Sequence, residues 1–210
     1  MTPAPHIHGL LLAAGRSSRM GPRNKLLEAL GGRPIVRIAA EAVIASRCRA
    51  VTVVTGHQSE DVRAALAGLR AAFVHNPDYA DGLAGSLATG LAAVPPDADG
   101  VLVALGDMPR VTGAEIDRLI DAFDPAKGRA IIVPTFEGQR GNPVLWAARF
   151  LPELARLKGD RGGRQIMAAH AADVVELAMT SDAVLTDVDT PDALAALKKG
   201  AGHGSLSGSG

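Results

Sequence analysis

A small-residue, basic segment near the start of the chain has the composition of an anion-binding loop. It follows an apolar run and reads LAAGRSSRMGPRNK from Leu12 to Lys25. The small residues up to Gly15 let a ligand approach the backbone, and a glycine-rich turn directs successive N–H groups outward. Arg19 adds a planar guanidinium and Lys25 a compact point charge, and this combination suits a triphosphate.

Two common phosphate-binding motifs do not fit this loop. A P-loop needs Lys and then Ser or Thr directly after its second glycine, whereas Pro22 follows Gly21 here. The dinucleotide fingerprint G-x-G-x-x-G is also absent from the sequence. The alternative to a triphosphate site is an ordinary Gly/Ser loop with surface arginines.

Carboxylates end two other apolar segments. Asp107 follows Gly106 directly after the run Val101–Leu105, and Asp187 and Asp189 flank Val188. A carboxylate at a strand end can hold Mg²⁺ through oxygen ligands. Alternation of side chains along an extended segment predicts that Asp187 and Asp189 lie on one side. The structural alternatives are a turn residue for Asp107 and a lead into a helix cap at Thr190 for Asp189.

Opposite charges concentrate in different parts of the chain. Residues 1–50 carry eight basic and two acidic side chains, and residues 97–124 carry seven acidic and two basic ones. Most of these charges are expected on solvated helix faces. A basic loop facing an acidic strand end would nevertheless suit a phosphate with a metal ion between them.

The overall composition excludes several classes of protein. Lys+Arg and Asp+Glu are both 22 among 210 residues, which argues against a general nucleic-acid binder. The single cysteine, Cys48, excludes an internal disulfide and a cysteine-rich zinc site. The sequence contains no apolar run near the roughly 20 residues of a membrane span, and Met1–Pro5 has no basic leader. We therefore expect a soluble, cytoplasmic protein with neither nucleic-acid nor membrane partners.

Strand and helix patterns alternate along the chain, which predicts βαβ units and a mainly parallel sheet with helices on both faces. Ligands of such sheets bind at the carboxyl ends of the strands. The predicted strands are 6–12, 51–55, 72–75, 100–105, 130–135 and segments near 173–177 and 184–188. The predicted helices are 34–46, 59–69 capped by Ser59, 85–93, 112–123 opened by the capping box Thr112–Glu115, segments near 147–157 and 162–171, and one beginning at Thr190–Pro191.

These elements predict one domain over residues 1–198. We expect a nucleotide-binding half over about 1–110 and an acceptor half over about 111–198. Residues 199–210 are rich in Gly and Ser, so we predict a disordered tail.

Six segments, in order and spanning residues 10–192, resemble the MobA-like branch of the GT-A-like nucleotidyltransferases, and most of all its molybdenum cofactor cytidylyltransferases. The resemblance implies a GT-A-like, Rossmann-like fold with a mixed, mainly parallel sheet. The segments are LAAGRSSRMG with Lys25, Gly82–Leu87, Gly106–Pro109, Gly141–Val144, Gly159–Arg164 and Asp187–Pro191.

The resemblance also implies site residues. Lys25, Arg19 and Asp107 would be catalytic, and Asp107 and Asp189 would bind Mg²⁺ or Mn²⁺, with Asp187 left open as the second ligand. Ser86 would equally suit a helix cap, and Gly159–Arg164 a solvated turn. The implied nucleotide-binding residues are Leu12, Ala13, Ala14, Gly15, Arg16, Ser17, Arg19, Lys25, Gly82, Ser86 and Gly106, and the implied acceptor-binding residues are Asn142, Asp160, Arg161 and Arg164.

The reaction that the resemblance implies is transfer of CMP from CTP to the phosphate of molybdopterin, with release of pyrophosphate. The expected partners are CTP, a molybdopterin-type acceptor and a transient molybdoenzyme or chaperone. Guanylyl-transferring relatives usually read L-A-G-G where this chain reads Leu12–Gly15, so the Ala14 methyl is a candidate determinant for CTP over GTP. The alternatives are guanylyl or cytidylyl transfer to another phosphate acceptor, a noncatalytic cofactor-binding module, and a nicotinamide-dependent oxidoreductase, which the missing glycine fingerprint disfavours.

Overall fold

A mixed β-sheet of eight strands organises the part of the chain that the computed structural model describes, residues 4–17, 23–159 and 163–202. The strand order is β10-β7-β9-β6-β1-β4-β5, and β8 pairs with β7 at one side. The strands are β1 (Ile7–Ala13), β2 (Ala29–Leu30), β3 (Arg33–Pro34), β4 (Ala50–Thr55), β5 (Ala72–His75), β6 (Gly100–Leu105), β7 (Ile131–Phe136), β8 (Gln139–Arg140), β9 (Val144–Ala147) and β10 (Val174–Ala178).

The predicted mixed, mainly parallel sheet is confirmed. Strands β6, β1, β4 and β5 run parallel, with Leu12 opposite Val54 on one side and Leu105 on the other. Strand β9 is antiparallel to both β6 and β7, while β10 is parallel to β7. The short β2–β3 hairpin forms a separate sheet, joined by Gly31 and Gly32, which both have positive φ.

Helices cover both faces of the sheet, as predicted. Gly9 and Leu10 are neighbours in β1 and therefore face opposite sides. A Cβ on Gly9 would lie 2.7 Å from Val43 Cγ1, whereas a Cβ on Gly90 would lie 2.6 Å from Leu10 Cδ1, so the helices carrying Val43 and Gly90 pack on opposite faces. The helices are α1 (Ile35–Ala45), α2 (Ser59–Ala65), α3 (Leu83–Leu91), α4 (Gly113–Ala122), α5 (Leu151–Leu154), α6 (Arg164–Ala169) and α7 (Pro191–Gly202).

Two of the predicted helix starts are confirmed and one is wrong. Thr112 and Glu115 form the reciprocal capping box of α4. Pro191 is the first residue of α7, and Thr190 Oγ1 accepts a hydrogen bond from Ala193 N. Ser59 is not the cap of α2, because it is the first helical residue and its hydroxyl pairs with Thr55 Oγ1.

One further sequence prediction is confirmed in part and another needs correction. The helix predicted near 147–157 is present as a 3-10 turn over Ala148–Phe150 followed by the α-helix Leu151–Leu154, while Ala147 is the last residue of strand β9. The strand predicted near 184–188 is instead a 3-10 turn over Asp182–Leu185, capped by the Ser181 hydroxyl. A helical turn satisfies its backbone groups locally, so no strand partner is needed there.

The C-terminal helix extends into the predicted tail. Helix α7 continues to Gly202, so residues 199–202 are helical, and residues 203–210 lie outside the described part. Val188, Leu194 and Ile35 form a small buried cluster that packs this helix against α1. None of the helices in the described ranges has the length and apolarity needed to cross a membrane.

The four parallel strands β6, β1, β4 and β5 end at the same edge of the sheet. The chain leaves β1 toward β4 on one side and later returns to β6 on the other, so β1 marks the point where the strand order reverses. Ligands of α/β sheets bind in the crevice at such a reversal. The loop after β1 lies at this point.

Candidate active site

An open cleft of about 830 Å³ lies at the carboxyl edge of the sheet. Segments far apart in sequence line it, from the loop after β1 to the segment that precedes α7. The lining residues are Leu12, Ala14, Gly15, Arg16, Ser17, Lys25, Leu26, Tyr79, Ala80, Gly82, Leu83, Ser86, Leu105, Asp107, Arg164 and Asp189.

A local hydrogen-bond network holds Lys25 at the cleft. Asn24 is buried, and its Oδ1 accepts from Leu26 N at 3.1 Å, which begins the 3-10 turn Lys25–Leu27. The Lys25 N–H donates to Ser17 Oγ at 3.1 Å. The Ser17 hydroxyl in turn donates to Asn24 Oδ1 at 3.3 Å. The side chain of Ser17 and the backbone of Leu26, one on each side of the basic loop, therefore both bond to the same asparagine.

The Lys25 ammonium lies between two carboxylates. Its Nζ is 2.5 Å from Asp107 Oδ2 and 2.5 Å from Asp189 Oδ1. Burial acts to lower the pKa of Lys25, but the charges and hydrogen bonds of Asp107 and Asp189 outweigh it, so that the pKa is raised. Lys25 is therefore a fixed positive charge within the cleft.

Three carboxylates converge next to this lysine. Ligand oxygens of Asp107, Asp187 and Asp189 all lie within 4.8 Å of one another. The Val188 N–H donates to the Asp107 carbonyl at 3.0 Å and so draws the two segments together. Burial, and then the charges of Asp189 and Asp107, raise the pKa of Asp187. The prediction that Asp187 and Asp189 lie on one side is thus met, by a loop rather than by a strand.

This donor set fits a hard divalent cation. Mg²⁺ and Mn²⁺ prefer carboxylate oxygens. Asp107 Oδ1 is buried and has no hydrogen-bond partner among the described residues, because Lys25 takes only Oδ2. A buried oxygen without a partner is costly, and a bound cation would satisfy it.

Three strand ends meet at one wall of the cleft. A Cβ on Gly56, which follows β4, would lie 2.5 Å from Tyr79 Cβ and 2.8 Å from Ala14 Cβ. Both distances are shorter than any contact that a Cβ atom makes in a folded protein. Because Gly56 has no side chain, Ala14 and Tyr79 can both pack closely against its backbone. The His57 N–H also donates to the Ala14 carbonyl at 3.2 Å.

Another part of the cleft wall belongs to the start of α3. Gly82 precedes this helix with φ 107°, a conformation that favours glycine. Ser86 lies inside α3, so it does not cap the helix, and its Oγ accepts from Asn76 Nδ2 at 3.0 Å. Ser86 is 4% exposed and still lines the cleft.

The structure brings most of the predicted site residues to this cleft. Ala13 and Gly106 do not line it, because Ala13 lies in β1 beneath the loop and Gly106 packs against Leu12 and Leu26. Asn142 does not line it either, since its N–H donates to the Val184 carbonyl beside β7. Arg19, Asp160 and Arg161 lie outside the described residues, so their predicted roles stay predictions.

Sequence reasoning missed Tyr79, Leu83 and Asn76. Tyr79 is the chain's only tyrosine, and Leu83 is a large apolar side chain that is 41% exposed at the cleft. Asn76 directly follows the predicted strand 72–75, and its sequence context does not mark it as a site residue. An apolar or aromatic side chain within a turn was the one available signal for Tyr79 and Leu83, and it does not identify a ligand.

The family model described as "MobA-like NTP transferase domain" matches residues 9–174. The nicotine blue oxidoreductase of Paenarthrobacter nicotinovorans is 30% identical over 196 residues, which cover 90% of this chain and 95% of that protein. The molybdenum cofactor cytidylyltransferase of Escherichia coli is 28% identical over 186 residues, which cover 87% of this chain and 91% of that protein.

Solved structures share the fold. The Rv0371c protein of Mycobacterium tuberculosis H37Rv superposes with a TM-score of 0.82 at 32% identity, over 94% of this chain and 100% of that one. Its complex with manganese superposes with a TM-score of 0.79 at 31% identity, over 92% and 98% of the two chains. The fold is that of the GT-A-like nucleotidyltransferases, as the sequence predicted.

Proposed function

This chain belongs to the MobA-like NTP transferase family, and on that premise we propose that it transfers CMP from CTP to the phosphate of a molybdopterin-type acceptor and releases pyrophosphate. Family membership makes it a nucleotidyltransferase, a class that uses a nucleoside triphosphate and a divalent metal. The observation that carries the proposal is Lys25, held between Asp107 and Asp189 in the cleft that also contains the small-residue loop. This arrangement of charges suits a triphosphate with a divalent cation.

The proposed chemistry needs positioning and charge stabilisation rather than a protein nucleophile. A phosphate oxygen of the acceptor attacks the α-phosphorus of CTP, the bond from that phosphorus to the bridging oxygen breaks, and pyrophosphate leaves with the electron pair. Lys25 stabilises the negative charge that develops around the α-phosphate. Arg19 and the backbone N–H groups near Gly15 hold the β- and γ-phosphates.

We assign the divalent cation, Mg²⁺ or Mn²⁺, to Asp107 and Asp189, with Asp187 as the alternative second ligand. The buried, unpartnered Asp107 Oδ1 supports this assignment. When bound, such a cation neutralises phosphate charge and orients the triphosphate. Because Lys25 contacts both carboxylates, it must share them with the cation or turn toward the phosphates.

The nucleoside is assigned to the wall formed by Ala14, Gly82 and Ser86. The packing of Ala14 against the strand end at Gly56 supports a role for its methyl group in the width of the base pocket. A narrower pocket favours a pyrimidine, and therefore CTP over GTP. The E. coli relative named a cytidylyltransferase agrees with this choice.

The acceptor is assigned to the side of the cleft where Arg164 begins α6. Arg161 and Asp160 precede it in sequence, and an arginine can bind a phosphate bidentately. Asn142 lies farther from the cleft and is a weaker candidate.

We also propose that residues 1–198 act as one domain, with a nucleotide half over about 1–110 and an acceptor half over about 111–198, because Asp189 of the second half contacts Lys25 of the first.

A pyrophosphate-release assay with each of the four ribonucleoside triphosphates, with and without molybdopterin, tests this proposal. We expect release with CTP that depends on both a divalent cation and molybdopterin. Release only with GTP would identify GTP rather than CTP as the nucleotide substrate. Release with a different phosphate compound would identify that compound rather than molybdopterin as the acceptor. No release under any of these conditions would contradict the proposal.

Oxidoreduction is the second candidate function, because the relative named nicotine blue oxidoreductase is 30% identical over 90% of this chain. A cleft with a partly buried lysine between carboxylates fits a triphosphate better, since an electron transfer does not need that set of charges. Turnover of a redox substrate without any nucleoside triphosphate would favour this second candidate.

A further inference from the structure

Asn76 connects the two segments that form the nucleoside side of the cleft. It follows β5 directly, and its N–H donates to the Thr55 carbonyl at 2.8 Å. Its side chain is buried, with 3% of the residue exposed. The side-chain Oδ1 accepts from Asp78 N at 3.1 Å, and Nδ2 donates to Ser86 Oγ at 3.0 Å.

These two contacts fix which end of the amide faces Ser86. A backbone N–H can only donate, so the amide atom next to Asp78 N must be the oxygen. The atom next to Ser86 is then the NH₂ group, which can only donate. Ser86 Oγ must therefore accept from Asn76, and its own hydrogen points elsewhere.

The Ser86 hydrogen has no acceptor among the described residues. A serine within a helix often donates to a carbonyl one turn earlier, but among the described residues the Ser86 side chain makes no such bond and has Asn76 as its hydrogen-bond partner. Ser86 lines the cleft. The cleft therefore offers a hydroxyl donor at this point, and its direction is set by a residue that does not line the cleft.

We infer that Asn76 is a positioning residue that makes Ser86 a hydrogen-bond donor toward the nucleoside of the bound triphosphate. The group that Ser86 recognises is a hydrogen-bond acceptor, either a base carbonyl or a ribose hydroxyl. The inference rests on the proposed use of this cleft for a nucleoside triphosphate, and it adds how the nucleoside is recognised and which residue sets that recognition.

Asn76→Asp is the sharpest test, because it changes the shape of the side chain very little. A carboxylate oxygen still accepts from Asp78 N, but the second oxygen now faces Ser86 and forces its hydrogen away from the cleft. We expect CTP binding, measured by calorimetry with Mg²⁺ at pH 8, where the introduced carboxyl is ionised, to weaken by roughly three- to tenfold. The kcat at saturating CTP should stay near that of the wild type, since Lys25 and Asp107 are unchanged.

The introduced charge also repels the triphosphate, and a double-mutant cycle separates this effect. In the Ser86→Ala background the hydroxyl is absent, so Asn76→Asp there measures repulsion alone. We expect Asn76→Asp to weaken CTP binding less in that background than in the protein that retains Ser86. Equal losses in both backgrounds would overturn the inference, and so would a Ser86→Ala variant that binds CTP as tightly as the wild type.

Two further arms complete the design. Comparing CTP with 2′-deoxy-CTP tests the ribose 2′-hydroxyl as the acceptor: if it is the acceptor, Asn76→Asp weakens binding of the deoxy nucleotide only by the charge repulsion, whereas a base acceptor predicts the same loss of affinity with both nucleotides. Gln139→Glu places the same added charge on the exposed strand β8 and should leave CTP binding unchanged. If Asn76→Asp lowers the melting temperature strongly, Ser86→Ala still tests whether the Ser86 hydroxyl contributes to CTP binding, and affinity equal to that of the wild type would overturn the inference.

The failure of this inference differs from the failure of the proposed function. Wild-type protein that binds CTP but transfers no CMP to molybdopterin would contradict the proposed function and leave the binding cycle interpretable. Wild-type transfer activity together with unaltered CTP affinity in Asn76→Asp and Ser86→Ala would contradict only the inference about Asn76.

Discussion

Lys25 and Asp189 are 164 positions apart in the chain, and the Lys25 Nζ lies 2.5 Å from the Asp189 Oδ1. Lys25 belongs to the turn after the basic loop, and Asp189 directly precedes the cap of the last helix. The contact therefore joins the proposed nucleotide and acceptor halves through one ion pair. Both groups are partly buried, with 13% and 34% of their side chains exposed, so solvent screens the pair only in part.

Replacing Lys25 separates two roles of its charge. We expect Lys25→Met to lower kcat for nucleotidyl transfer by roughly 10²- to 10³-fold, because a preorganised cation at the developing charge is lost. The same variant should bind Mn²⁺ more tightly than the wild type when no nucleotide is present, because the lysine no longer competes for Asp107 and Asp189. Electron paramagnetic resonance titration measures the second effect. Weaker Mn²⁺ binding in Lys25→Met would contradict the proposed competition.

Replacing Asp107 tests the metal assignment. Asp107→Asn removes the charge of the carboxylate that has the buried, unpartnered oxygen. We expect Mn²⁺ binding to fall at least tenfold and transfer activity to fall by roughly 10²-fold or more. Asp97→Asn is the matched control, because Asp97 is an exposed carboxylate that precedes β6 whereas Asp107 follows that strand, and it should keep both properties. Full activity in Asp107→Asn would remove Asp107 from the proposed mechanism.

The contact between Gly56 and Tyr79 predicts a change in affinity without a change in chemistry. Gly56→Ala would place a methyl carbon 2.5 Å from Tyr79 Cβ, so the wall of the cleft must shift. We expect KM for CTP to rise severalfold while kcat changes little. An unchanged KM in Gly56→Ala would show that the wall does not set nucleotide affinity.

The Ala14 methyl is predicted to favour CTP. Ala14→Gly should raise kcat/KM for GTP relative to CTP, because the wall recedes by one carbon beside Gly56. The ratio of the two specificity constants, measured for wild type and variant in one assay, checks this expectation. A ratio that does not move would discard Ala14 as the determinant of nucleotide choice.

His8 predicts how the stability of the fold depends on pH. It is buried in β1, its Nε2 pairs with Thr52 Oγ1 at 2.9 Å, and burial together with the charge of His6 lowers its pKa. The unfolded chain therefore binds more protons than the folded one as the pH falls below about 6.5, and the free energy of unfolding decreases there by up to about 1.4 kcal/mol per pH unit.

His8→Gln cannot titrate and should flatten this dependence. Urea unfolding of wild type and variant at several values between pH 7 and pH 5 measures the difference in slope, which is the part of the pH dependence that requires His8. Parallel curves for the two proteins would contradict the assignment to His8.

Local sequence patterns determined most of the secondary structure. The apolar runs of β1, β4, β6 and β7 identified these strands, because a strand buried on both faces needs continuous apolar residues. The capping box at Thr112 and the proline at 191 identified two helix starts, because their hydrogen bonds span only a few residues. Strand β9 was missed, since a short apolar run has no periodicity that separates a strand from a buried helix.

The sequence by itself also determined which residue types carry charge and where the flexible glycines lie, and its motifs gave the family. It could not determine that Lys25 takes one oxygen of Asp107 and leaves the other without a partner, or that Asn76 fixes the hydrogen of Ser86. Those contacts join segments separated by ten to more than a hundred positions, and only the packing of the strands brings them together. Whether a hydrogen bond forms depends on differences of a few tenths of an ångström in the distance between donor and acceptor, and the spacing of residues along a chain does not encode such differences.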